Sequence, residues 1–184
     1  MFKSRIPLQT PIALKLLLFG TLAVSLVAGS TSSEASSSQI TQETQIVASS
    51  QSDRELADIA HLAHQKVNKY RASKNLPPLE LIGVISEQAK VHSLNMAQHS
   101  VPFSHDGFQS RVDEIGQNIT YKSASENVAY NMGYQDPVST AVEGWIKSDG
   151  HRKNMEGNYN LTGMGVAVNS DGEYYFTQIF ILEN

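Results

Sequence analysis

Apolar residues recur every three or four positions over residues 53–73, which is the spacing of one face of an α-helix. This stretch opens with "SDRE" (52–55), a capping-box pattern. It is followed by "NLPPL" (75–79), whose prolines disfavour helix in the residues before them. We therefore predict a first amphipathic helix over 53–73. Its apolar face consists of Leu56, Ile59, Ala60, Ala63, Val67 and Tyr70.

The pattern of residues in the middle of the chain predicts two further main helices, with loops between them. A second helix is predicted over 80–99, and residues 100–135 predict loops with a short helix near 107–115 and a strand near 127–131. Asp136 and Pro137 have the form of an N-cap and a first helical residue. The helix that they begin is expected to run to about residue 148, with Gly150 as its stop.

The C-terminal part of the chain has the pattern of a β-hairpin. The segments "LTGMGVAVN" and "EYYFTQIFIL" are rich in strand-forming residues and are separated by the turn "SDG". Because helices come first and the hairpin last, the order of elements predicts an α+β fold with helices packed on an antiparallel sheet.

The N-terminal part predicts a leader and a spacer. Residues 1–29 combine three basic residues, an apolar run (16–28) and small residues after it, which indicates a secretory signal peptide. An uncleaved anchor is the alternative. Residues 30–53 contain 16 Ser, Thr or Gln among 24, and so little apolar surface predicts a disordered linker. The folded domain is then predicted over 54–184.

Cysteine content and charge narrow the class of protein. The chain has no cysteine, which excludes a lipoprotein anchor and a disulfide framework. Export without disulfides favours a bacterial protein that is secreted or held in the cell envelope. Loss of the three basic residues in 1–29 changes the formal charge from −4 to −7. An acidic domain disfavours nucleic acid as a partner, and membrane contact is expected only through an uncleaved leader.

Six fragments, in order, resemble the CAP superfamily of cysteine-rich secretory proteins, antigen 5 and pathogenesis-related proteins, and in particular its cysteine-free bacterial branch. They are "VNKYRASKNLPPL", "AKVHSLNMA", "FSHDGFQSRV", "SENVAY", "AVEGWIKSDGHRKNM" and "MGVAVNSDGEYYFTQIF". The resemblance covers nearly all of 54–184. It implies a three-layer α-β-α sandwich with a central antiparallel sheet.

The resemblance also implies a cleft of two histidines and two glutamates, which hold zinc in some members of the family. His105 takes the place of the first histidine and Glu126 that of the first glutamate. Ser148 and Tyr175 stand where the second glutamate and the second histidine are found. His151, in "SDGHR", is common in the bacterial branch and is expected to face the same cleft.

The residues themselves leave the chemistry of this cleft open. His105 and Glu126, with His151 as a weaker third ligand, would supply a zinc site only if the fold brought all three together. Otherwise His105 and Glu126 hydrogen-bond each other, pin two loops, and require no cofactor. A Ser148–His151 pair of nucleophile and base is a further alternative.

Our leading hypothesis is an exported, non-catalytic domain that binds an envelope or extracellular ligand through this polar cleft. The ligand classes compatible with the resemblance are lipid, polysaccharide and protein. The alternative is a metal-dependent, peptidase-like hydrolase in which Glu126 acts as base on a metal-bound water.

Overall fold

A computed structural model describes residues 33–184, with side chains described for 41–45 and 50–184. The chain divides into two units, Met1–Thr41 and Gln42–Asn184, and the fold below is that of the second unit. The predicted signal peptide or anchor at 1–29 lies outside the described residues. Across 33–184, no helix combines the length and the apolar character that crossing a membrane requires.

The described residues form five helices and four strands. In chain order these are α1 (Ser33–Ser73), β1 (Glu80–Leu81), α2 (Gly83–Ala97), α3 (Phe108–Gly116), β2 (Tyr121–Met132), α4 (Pro137–Lys147), α5 (Asp149–Glu156), β3 (Leu161–Val168) and β4 (Glu173–Glu183).

The predicted linker is the first point of difference, because α1 extends back to Ser33 instead of starting near residue 53. Residues 33–73 contain neither proline nor glycine, so no strong helix breaker interrupts the helix between Ser33 and residue 53. The side chains of 41–45 and 50–55 are exposed, as their polar composition predicted. The polar composition of this segment therefore predicted correctly that its side chains are exposed, but not that its backbone is helical.

The junction of α4 and α5 is the second difference. Asp136 caps α4 as predicted, since its carboxylate accepts from the backbone N–H of Ser139 at 2.8 Å. However, Gly150 does not stop a helix but lies inside α5, which the sequence analysis missed. The break falls at Ser148, whose extended backbone (φ −92°, ψ 123°) ends α4 and begins α5.

The remaining differences concern boundaries. The second helix starts at Gly83 rather than residue 80, because Glu80 and Leu81 form a short strand instead. The predicted strand near 127–131 is the C-terminal half of the longer β2. The predicted short helix (α3), the helix after Asp136 (α4) and the terminal hairpin (β3 and β4) are confirmed.

The sheet has the strand order β1-β3-β4-β2. The three long strands are antiparallel neighbours, as predicted, whereas the short β1 pairs with β3 in parallel. The register places Glu126 opposite Ile179 and Tyr130 opposite Tyr175. Because alternate residues of a strand face opposite sides, Glu126, Val128 and Tyr130 lie on the same face of the sheet.

Helices cover both faces of the sheet, which confirms the predicted α-β-α sandwich. On one face, α1, α4 and α5 bury a core around Val67, Trp145, Met155, Phe176 and Phe180. On the other face, α2 and α3 bury a core around Ile85, Ala89, Ile115, Ile179 and Ile181. Glu126 belongs to the second face, so any site built on it lies on the side of α2 and α3.

Two glycines of β3 allow α2 to approach the sheet closely. A Cβ atom on Gly163 would stand 2.3 Å from the backbone of Ile85, and one on Gly165 would stand 2.1 Å from the backbone nitrogen of Lys90. The hydroxyl of Ser93 then donates to the carbonyl of Gly165 at 3.1 Å, in the buried interface. The fixed position of α2 in turn fixes the loop that follows it.

β2 is an edge strand whose outer side is partly covered by side chains. The indole Nε1 of Trp145 donates to the carbonyl of Val128 at 3.0 Å, and the amide of Asn154 donates to the carbonyl of Glu126 at 3.1 Å. These donors from α4 and α5 take the place of a further strand at the middle of β2.

Candidate functional site

The carboxylate of Glu126 is the centre of the candidate site. Its side chain is 2% exposed, and it projects from β2 toward α3 and the loop before α3. Oε1 accepts from His105 Nδ1 at 2.9 Å and from Arg111 Nη2 at 2.8 Å, while Oε2 accepts from Arg111 Nε at 2.9 Å. The predicted hydrogen bond between His105 and Glu126 is therefore present. The buried charge is balanced by a two-point contact with a guanidinium.

Arg111 is the residue that the sequence analysis missed. It lies on α3, and only 10% of its side chain is exposed. Besides Glu126, it donates through Nη1 to the carbonyl of Asp106 at 2.8 Å. A signal for it existed, because a glutamate expected to be buried needs a cation nearby, and Arg111 is part of the same "FSHDGFQSRV" fragment as His105.

The loop that carries His105 is held at several points. Nε2 of the buried His92, on α2, bonds to the carbonyl of Ser104 at 2.9 Å, and since a carbonyl only accepts, this nitrogen carries the proton. Burial lowers the pKa of His92, which favours its neutral form. On the other side, Asp106 N–H donates to the hydroxyl of Ser104 at 3.1 Å. The position of His105 is thus set by both α2 and α3.

The contact with Glu126 determines what His105 presents outward. A carboxylate only accepts hydrogen bonds, so Nδ1 of His105 carries a proton. In the neutral ring Nε2 then holds a lone pair, whereas in the charged ring it is a donor. The side chain is 51% exposed. His105 therefore offers one oriented imidazole nitrogen to solvent.

His151 lies close to His105, as expected. Their ring centroids are 6.5 Å apart, with planes inclined by 52°. The first turn of α5 is anchored to β2, because the Asn127 amide donates to the carbonyl of His151 at 3.0 Å and the Asn154 amide donates to Asn127 at 2.9 Å. Burial lowers the pKa of His151, and the charge of a protonated His105 would lower it further.

Ser148 and Tyr175 have other surroundings. Ser148 is the residue between α4 and α5, and among the described contacts its hydroxyl bonds neither imidazole. The hydroxyl of Tyr175 donates to Glu173 Oε2 at 3.0 Å. Burial, followed by this hydrogen bond, raises the pKa of Tyr175 to about 12. The described hydrogen bonds therefore join neither residue to the His105–Glu126 pair.

Tyr175 instead supports two exposed aromatic rings. Its ring centroid is 5.5 Å from that of Tyr130 and 6.5 Å from that of Phe103. The rings of Phe103 and Tyr130 are 5.8 Å apart with planes inclined by 59°. Phe103 is 50% exposed and Tyr130 is 49% exposed. An aromatic surface thus lies on the same face of β2 as Glu126.

The residues as placed do not fit a zinc ion. Each oxygen of Glu126 already accepts from Arg111 and the side chain is 2% exposed, so its charge is already balanced and little of the carboxylate is open to a divalent metal. Two imidazoles on one tetrahedral zinc have ring centroids about 5 Å apart, whereas those of His105 and His151 are 6.5 Å apart. Among the residues described, no group of three or more His, Cys, Asp or Glu side chains is arranged to hold a metal.

The structure has a three-layer α-β-α sandwich and a buried glutamate that faces a loop histidine. Both features are those that the resemblance to the CAP superfamily implied. The family model described as "CAP: Cysteine-rich secretory protein family" matches residues 64–180. The chain therefore belongs to the CAP family.

At the level of sequence, similar proteins are found in bacteria. Two are from Bacillus subtilis (strain 168): the uncharacterized membrane protein YlbC, 38% identical over 117 residues, and the uncharacterized protein YkwD, 34% identical over 117 residues. These matches cover 62% of this chain but only 32% and 43% of the two relatives.

Among solved structures, an extracellular protein containing an SCP domain from Bacillus anthracis str. Ames matches with a TM-score of 0.56 and 28% identity. That match covers 70% of this chain and 41% of the other.

Proposed function

We propose that this chain is an exported, non-catalytic CAP domain that binds a ligand of the cell envelope or the extracellular space. The binding surface consists of the imidazole of His105, oriented by Glu126, and the neighbouring imidazole of His151. Residues 1–29 direct export in this proposal. The extracellular description of the Bacillus anthracis relative supports the location.

The observation that carries the proposal is that the buried carboxylate of Glu126 is already bound by Arg111 and His105. Its two oxygens accept three hydrogen bonds from Arg111 and His105, so the carboxylate serves to orient its partners. A general base must reach the proton that it removes, and the one acceptor position left on Glu126, on Oε2, belongs to a side chain that is only 2% exposed. The imidazole of His105, held by Glu126, and the neighbouring imidazole of His151 therefore form a hydrogen-bonding surface.

The same geometry argues against the hydrolase alternative. In that mechanism Glu126 would take a proton from a metal-bound water, and a carboxylate that is 2% exposed and paired with Arg111 is poorly placed to reach such a water. The Ser148–His151 alternative lacks the hydrogen bond between nucleophile and base that such a pair requires. Non-covalent binding is the function that the observed contacts favour.

The test is co-sedimentation of the purified full chain with isolated bacterial cell walls and, separately, with phosphatidylglycerol vesicles. We expect binding to one of these, with His105→Ala and His151→Ala each weakening it about tenfold, the loss typical of a central contact. His61→Ala is the matched control, because His61 is an exposed histidine on α1. It should bind like the wild type.

Two results would overturn the proposal. One is sedimentation with neither material, or binding that both cleft variants leave unchanged. The other is release of soluble fragments from the cell walls by the wild type but not by His105→Ala, since that would show turnover.

A further inference from the structure

The aromatic surface beside the imidazoles has the features of a binding site. It consists of Phe103, Tyr130 and Met132, here called the aromatic ledge, and Met132 is 51% exposed. Tyr130 and Met132 follow Glu126 on the same face of β2. Exposed apolar side chains that cluster, instead of occurring singly, mark interaction surfaces.

The exposed rings of the ledge pack against a buried residue, Tyr175, which holds them in place. Tyr175 is 5% exposed and lies against both exposed rings. Its hydroxyl and the amide of Asn169 both donate to Glu173 Oε2, at 3.0 Å and 2.6 Å. The rings of Phe103 and Tyr130 also contact each other in a tilted arrangement, with centroids 5.8 Å apart.

Polar groups border the ledge on both sides. Among the described residues, neither the hydroxyl of Tyr130 nor Oε1 of Glu173 has a hydrogen-bond partner, and Nε2 of His105 is likewise free. An acyl chain laid here would remove these groups from water without offering them partners, which is costly. A pyranose ring has an apolar C–H face for an aromatic ring and hydroxyls at its edge.

Charge and length point to a neutral glycan. The formal charge of −7 without the leader disfavours an anionic polymer. At the rise of a β-strand, Tyr130 lies about 13 Å along β2 from Glu126. A short oligosaccharide could therefore contact the ledge and the imidazoles together.

We propose that the aromatic ledge binds a pyranose ring of a neutral glycan, stacked on Tyr130 and bordered by Phe103. The hydroxyls of the glycan reach Glu173 at one end and His105 at the other. This proposal names the ligand class of the site under "Proposed function" and rests on that function.

The experiment is NMR titration of the isotopically labelled full chain with chitotetraose, with cellotetraose and, separately, with phosphatidylglycerol vesicles. We expect at least one oligosaccharide to shift the ring signals of Phe103 and Tyr130. Tyr130→Ala should weaken binding about tenfold, while Tyr130→Phe, which keeps the ring, should weaken it by less than about threefold. Leu62→Ala, an exposed apolar residue on α1, is the control and should bind like the wild type.

The outcomes separate this proposal from the one that it extends. Oligosaccharide shifts confined to His105 and His151 would overturn the ledge but keep the imidazole surface. Shifts at Phe103 and Tyr130 that His105→Ala leaves unchanged would keep the ledge and count against the imidazoles. Vesicle-induced shifts at Phe103 and Tyr130 without oligosaccharide binding, or no shift with any probe, would overturn the glycan assignment.

Discussion

Arg111 holds the candidate site together at the scale of single residues. It binds both oxygens of Glu126 and also the loop carbonyl of Asp106, so one guanidinium joins α3, β2 and the loop of His105. A charged pair this deeply buried is tolerated because each partner satisfies the other. Removing either charge strands the remaining one.

Glu126→Gln should therefore be strongly destabilising although it keeps the size of the side chain. We expect the free energy of unfolding to fall by about 3 kcal/mol, since the guanidinium of Arg111 loses its counter-charge. Urea denaturation measures this. Glu143→Gln is the matched control: Glu143 forms an exposed pair with Lys147 at 3.3 Å, and its loss should cost less than about 0.5 kcal/mol. Equal effects of the two variants would contradict the buried pair.

Zinc should not stabilise the protein. A ligand that binds only the folded state raises the melting temperature. The carboxylate that a zinc ion would need is engaged by Arg111, so we expect the melting temperature of the full chain to be the same with and without added zinc. If zinc raised the melting temperature of the wild type but not that of His105→Ala, the cleft would be a metal site after all.

At the scale of elements, the close packing of α2 on β3 depends on two residues without side chains. Gly165→Ala should lower the free energy of unfolding by about 3 kcal/mol, because its Cβ would overlap the backbone of α2. Thermal unfolding measures the change. Gly144→Ala is the control on the helix α4, where a Cβ meets nothing within 4 Å. It should stabilise by up to about 1 kcal/mol, and a similar loss in both variants would disprove the packing argument.

Elements with local signals were predictable from the sequence, and those that depend on distant contacts were not. Asp136 and Pro137 specify the start of α4 within a few residues. By contrast, α5 follows from the extended backbone of Ser148 and from amide contacts between Asn154 and β2, which no local pattern reveals. The pairing of His105 with Glu126 was inferred through family resemblance. The contribution of Arg111, 15 residues before Glu126, appears only once α3 is placed.

At the scale of the whole molecule, three buried or half-buried histidines link folding to pH. Burial is the first cause that lowers the pKa values of His64, His92 and His151. For His64 the hydrogen bonds agree: Asn68 accepts from Leu79 N–H, so its amide N–H₂ points at Nε2 of His64, 3.2 Å away. If Nε2 of His64 were protonated, its N–H would face the N–H₂ of Asn68, and two donors would oppose each other.

Stability should therefore decrease under mildly acidic conditions. Because these pKa values are lower in the folded state, the unfolded chain takes up protons first as the pH falls below about 6.5. We expect a smaller free energy of unfolding at about pH 5.5 than at about pH 7.5, measured by urea denaturation. The variant His64→Gln should show a smaller difference between the two conditions. Equal stability of the wild type at both would contradict the assignment.

The indole of Trp145 and the amide of Asn154, bound to the outer carbonyls of β2, have a consequence beyond the single molecule. A strand of a neighbouring copy could not pair with the middle of β2, because the carbonyls there already accept hydrogen bonds from side chains. Copies of the protein at high concentration should then not polymerise strand to strand through β2, although the rings of Phe103 and Tyr130 remain exposed.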